Sequence, residues 1–134
     1  MSTKRLTKED IQTASGILNP VGHVVLAFKD DRLTADAVKV LLAAGLAQED
    51  ILLYTAAEAT PRLRERVRSS SESSGFGYEI TLMRRYLSLA EEGAGWLIVY
   101  SPSDTLANRI SDIGTSHAAL CAVRYHRLAT EDLI

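Results

Sequence analysis

Residues 69–78, "SSSESSGFGY", place serine hydroxyls and two glycines just ahead of a helical stretch. Backbone amides at a helix start, freed by glycine and joined by hydroxyls, can hold an anion. Ser74, Gly75 and Gly77 would form such a cradle, with Arg84 and Arg85 two turns further on supplying positive charge. The plainer reading is a polar connector and cap between two helices, and it is the favoured one. No Gly-Lys-Ser/Thr follows, as a nucleotide-binding loop requires. Gly75-x-Gly77 also lacks the preceding strand and third glycine of a dinucleotide fingerprint.

"RLRERVR" offers a second possibility. On a helix Arg62 and Arg66 share one face, while Arg64 and Arg68 share another about 160° away. The arginines of Arg62–Arg68 therefore make no single stripe for nucleic acid, and Glu65 sits among them. The histidines His23, His117 and His126 have no short spacing to one another, and no Cys or Glu neighbour completes a metal site. His117 continues an apolar helical stripe. If it is buried there, its protonation loosens packing and costs stability below about pH 6. Asp30, Asp31 and Asp104 follow strands, where they could act in acid–base chemistry but more simply cap the next helix. No catalytic constellation, cofactor or metal is expected.

Totals narrow the function classes. A chain of 134 residues suits one domain, and 46% hydrophobic content is enough for a core without metals or disulfides. A formal net charge of -2 gives no general attraction for nucleic acid. The single cysteine, Cys121, cannot form an internal disulfide, and it sits in an apolar run. No signal-like or membrane-length apolar run is present, so a cytoplasmic location and no membrane partner are expected.

The elements that would position these residues follow from periodicity. Residues 1–20 read as an arm or short helix, with Thr7 and Asp10 imitating a capping box. "HVVLAFKD" is a buried strand. Thr34 reads as the N-cap of a helix carrying Ala35, Val38, Leu41 and Leu42, closed by Gly45. "EDILLYT" is the next strand, completing a β-α-β unit over 22–56. Thr60-Pro61 reads as a helix start. A second helix, with Phe76, Ile80, Met83, Leu87 and Ala90 on one stripe and ending at Gly93, completes a helical insertion over 58–93. A second β-α-β unit over 95–128 comprises "GWLIVYS", a helix with Leu106, Ile110, Ile113 and His117, and "CAVRYHRL".

The two units recur at an offset of about 72 positions, with strand, cap, helix and strand in the same order. Two such units predict a ferredoxin-like α/β domain with one four-stranded sheet, helices on one face, and the insertion or a second subunit over the other. "FKDDRLTADAVKVLLAAGLAQEDILLYT" resembles the β-α-β unit of bacterial heat-induced general stress proteins. "SGFGYEITLMRRYLSLAEEGAGWLIVYSPSD" with "SHAALCAVRY" is similar to small uncharacterised bacterial proteins of ferredoxin-like type. The resemblance implies a bacterial, stress-associated protein and brings no catalytic residues. The expected function is a non-catalytic regulatory or stress-associated binding module, and the apolar sheet predicts a homodimer formed through the sheet face or the helical insertion. The alternatives are an enzyme for an anionic substrate, using the 69–78 stretch with Arg84 or Arg85 and His117, and a nucleic-acid binder.

Overall fold

The computed structural model describes residues 4–13, 19–73, 77–126 and 130–134. In chain order these form α1 (Lys8–Thr13), β1 (His23–Phe28), α2 (Asp31–Ala43), a single 3-10 turn (Gln48–Asp50), β2 (Ile51–Tyr54), α3 (Ala56–Ser73), α4 (Gly77–Glu91), β3 (Gly95–Tyr100), α5 (Asp104–Ser116), β4 (Cys121–Tyr125) and β5 (Thr130–Asp132).

All five strands lie in one sheet, in the order β2-β3-β1-β4-β5, and every neighbouring pair is antiparallel. β1 and β2 thus run parallel to each other, with β3 inserted between them. The central strands are covered on both faces, which explains why "HVVLAF" and "GWLIVY" read as continuous apolar runs rather than alternating ones. Val24, Leu26 and Phe28 meet α2 and α5 on one face, with Leu41, Ala107 and Ile110. Val25 and Ala27 meet α1, α3 and α4 on the other, with Ile11, Leu63, Met83 and Tyr86. The second face is therefore filled by the chain's own helical insertion.

Several expectations are corrected. The sheet has five strands, not four: Thr130–Asp132 pairs with β4 by backbone bonds. Its three residues are too few to show alternation and two of them are acidic, so the partner edge rather than local pattern creates this strand. Thr34 is not the N-cap of α2. Asp30 takes that place and accepts from Leu33 N at 2.8 Å, while Thr34 is buried inside the helix and donates to Asp30 O. Helix α3 starts at Ala56 rather than at Thr60-Pro61, because Thr55 and Glu58 form a reciprocal capping box. Pro61 lies inside it, where its missing N–H leaves the Ala57 carbonyl without that bond. Helix α5 ends at Ser116, so His117 is its half-buried C-cap and does not extend the apolar stripe.

Three helices end on the same hydrogen-bond pattern. In α2, Gly45 at φ +104° lets Leu46 N bond Leu41 O; in α4, Gly93 at +105° lets Ala94 N bond Leu89 O. In α5 the left-handed position is Ala118, at φ +64°, and Ala119 N bonds Gly114 O. There an L side chain occupies a conformation that glycine adopts without steric cost.

Candidate functional site

The sequence candidates fall in different places. Ser74 and Gly75 of the proposed anion cradle lie outside the described residues, as does Phe76. Gly77 opens α4, and Arg84 and Arg85 are exposed further along it. His117 ends α5, on the opposite face of the sheet from α4, so it does not join Arg84 and Arg85 in one site. Asp30 caps α2, Asp31 Oδ1 accepts from Ala56 N at 2.9 Å, and Asp104 pairs with Arg124, which holds its carboxyl below the usual range. These three acids serve helix starts and strand edges.

The arginines of α3 are all engaged within the chain. Arg62 bonds Glu58 O, Arg64 pairs with Glu91 at 3.2 Å, and Arg68 pairs with Glu65. Arg66 donates to Ile11 O at 2.9 Å, pinning α1 against α3, and its burial lowers the guanidinium's proton affinity. The division expected from helical spacing is kept: Arg62 and Arg66 turn towards the sheet, Arg64 and Arg68 towards solvent.

Arg62 and Arg66 lean over a cavity of about 50 Å³ between the sheet and the insertion. Val25, Ile98, Trp96 and Tyr54 form its sheet wall; Ala59 and Leu63 come from α3, Tyr86 from α4 and Ile11 from α1. The walls present carbon almost throughout. Two of the lining side chains, Tyr54 and Trp96, also carry a buried polar atom. Among the described residues, Tyr54 Oη and Trp96 Nε1 are buried and have no hydrogen-bond partner. Leaving such a group unpaired costs about 1–3 kcal/mol, so native cores rarely do it. Burial raises the Tyr54 phenol's pKa, and it is neutral and able to donate. The Lys8 ammonium sits 4.7 Å from the centre of its ring. Tyr86, packed edge-on against Trp96, satisfies its own hydroxyl on Tyr125 at 2.9 Å.

The N-terminal segment closes one side of this region. Arg5 pairs with Asp50 at 3.0 Å, Lys8 with Glu58 at 3.7 Å, and Leu6 N donates to His23 Nε2 at 3.2 Å. His23 is almost wholly buried, and burial lowers its pKa. Among the described residues, no group of three or more His, Cys, Asp or Glu side chains is placed to hold a metal ion, and no helix is long and apolar enough to cross a membrane. No family model, curated protein or solved structure matches this chain.

Sequence reasoning did not find this cavity. Tyr54 lies in the run "EDILLYT" and Trp96 in "GWLIVYS", each of which reads only as a strand. Their convergence depends on the pairing of β2 with β3, which sets Tyr54 opposite Trp96.

Proposed function

We propose that this protein is a non-catalytic binding module whose ligand enters the cavity bounded by α1, α3 and the sheet. The observation carrying this reading is that two side chains lining this apolar cavity, Tyr54 and Trp96, each carry a buried donor, Oη and Nε1, with no hydrogen-bond partner among the described residues. The ligand class that fits is a small, mostly apolar molecule bearing a hydrogen-bond acceptor such as a carbonyl or carboxylate. Arg62 stands at the same cavity and favours an acceptor with negative charge. At about 50 Å³ the space takes roughly three to five water-sized atoms, and displacement of α1, which supplies the Ile11 wall, would enlarge it.

The strand order β2-β3-β1-β4, with α2 and α5 crossing one face, supports a ferredoxin-like reading in which β5 and the α3–α4 hairpin are additions. A stress-associated role in a bacterium is proposed on the sequence resemblance, and a cytoplasmic location on the single cysteine. With one sheet face filled by the insertion, any dimer would form through the insertion's outer surface. The anion-binding enzyme reading is weaker, since its histidine and arginines sit on opposite sides of the sheet.

The test uses Trp96, the only tryptophan in the chain, as reporter. Short-chain carboxylates, ketones and alkanes are titrated against the protein, following Trp96 emission and melting temperature. Binding predicts a response to the carboxylates and ketones that exceeds that of alkanes of equal size, and its loss in Ala59→Leu, which fills the cavity. No response at millimolar concentrations, or an undiminished response in Ala59→Leu, would refute the site.

A further inference from the structure

His23 joins the N-terminal segment to the sheet through a bond that only its neutral form can make. Nδ1 lies 3.0 Å from Val21 O, an acceptor, so Nδ1 carries the proton. Nε2 is then a lone-pair acceptor, and Leu6 N–H donates to it. Adding a proton to Nε2 replaces this bond with two N–H groups facing each other. Among the described residues, two side chains besides these act on the ring. Tyr100 lies across the strand pair with ring centres 5.2 Å apart, and Asp50 is the carboxylate that acts on it. Arg124, on neighbouring β4, pairs in register with Val24, whose side chain faces the opposite layer, and is held there by Asp104.

Asp50 gives the bond a second state. In the closed arrangement Arg5 of the same segment occupies its carboxylate at 3.0 Å. Departure of the segment frees that carboxylate to face a charged His23. Each arrangement thus satisfies its own charges: neutral His23 with Leu6 bound and Arg5 on Asp50, or cationic His23 with Asp50 and the segment released. The segment's other ties include Arg66 to Ile11 O, the exposed Lys8–Glu58 pair, the Lys8 ammonium over the Tyr54 ring, and the packing of Leu6 and Ile11. Exposed ion pairs contribute little to holding it. Ile11 is also a wall of the cavity.

We propose that protonation of His23 releases residues 4–13 and widens the cavity at its Ile11 wall, making ligand access pH-dependent. The access part rests on the binding role proposed above; the release does not, and it is measured without ligand. The experiment is amide hydrogen exchange on the full chain between pH 7.5 and 5.5, corrected for intrinsic rates. Protection at Leu6 and Ile11 should fall by up to tenfold per pH unit once His23 begins to charge, while amides of β1 and β3 stay protected. His23→Gln keeps an acceptor for Leu6 N without titrating, and its Leu6 and Ile11 protection should not change over this range. Leu6→Pro removes the donor from a surface segment and leaves the sheet intact; Ile11 should then be unprotected at both ends of the range. Constant protection at Leu6 in the native protein overturns the proposal. So does the same fall in His23→Gln, or a pH response at Ile11 that persists in Leu6→Pro. A pH-dependent release with no response to the carboxylates and ketones would sustain the switch and remove only the ligand reading.

Discussion

Gly95 offers a quantitative test of how the two crossover elements are locked together. It opens β3 directly beneath the first turn of α2. A Cβ at this position would lie 2.3 Å from Thr34 Oγ1 and 2.9 Å from both Thr34 Cβ and Asp31 Oδ1. Thr34 is fully buried and its hydroxyl is bonded to Asp30 O at 2.8 Å, so it cannot turn aside without losing that bond. Asp31 is held by Ala56 N, at the start of α3. For Gly95→Ala the helix start must withdraw by roughly 1 Å, an overpacking cost of about 1–3 kcal/mol. Loss of the Thr34 bond adds about 1 kcal/mol. The expected destabilisation is about 3 kcal/mol, or a fall in melting temperature of about 10 °C for a chain this size. Urea denaturation followed by emission of the adjacent Trp96 measures it. Thr34→Ala alone should cost about 1 kcal/mol, and the double variant should be at least about 1 kcal/mol more stable than the sum of the two single changes. Additive effects, or a loss below about 1 kcal/mol for Gly95→Ala, would show that this contact does not set the spacing of helix and sheet.

Four further outcomes follow from individual sites. Ala118→Gly relieves the left-handed position at the end of α5 and should raise stability by about 0.5–1 kcal/mol in the same urea assay, with the slope unchanged. Tyr54→Phe removes a buried unpartnered hydroxyl; it should stabilise the free protein by about 1 kcal/mol while weakening the response to carboxylates and ketones. Burial pushes the Cys121 thiol up to about 11 from 9.0, so alkylation by iodoacetamide at pH 8 should be about a hundredfold slower in the native state than after unfolding. His23 has a lowered proton affinity in the fold, so the unfolded chain takes up the proton first. Its contribution to stability is complete above about pH 6.5, declines by up to about 1.4 kcal/mol per unit as pH falls below that, and levels off once the folded pKa is passed. Denaturation midpoints between pH 7.5 and 5 should show this slope in the native protein and not in His23→Gln.

The expectation of a pH-sensitive histidine was attached to His117, and the structure buries His23 instead. Helical spacing placed His117 on the stripe of Leu106, Ile110 and Ile113, but the helix stops one residue earlier, where Ala118 turns left-handed. Local periodicity gave no sign of that stop, since the residue at the turn is alanine rather than glycine. His23 read as the first residue of a strand. Its burial comes from Tyr100 across the β1–β3 pair and from Leu6, both distant in sequence.

Strands β1–β4, the helices between them and two glycine helix ends were legible because each is a local pattern: apolar runs of strand length, 3.6-residue stripes, and left-handed residues at helix ends. The capping box at Thr55 and Glu58 was also written in the chain, but Pro61 gave a stronger-looking start further on. Order in the sheet, the fifth strand, and the meeting of Tyr54, Trp96, Ile11 and Arg62 around one cavity were decided only by tertiary structure. Strand order follows from which apolar faces bury against each other, and a cavity is what side chains from distant segments fail to fill. Neither quantity exists until the segments are packed.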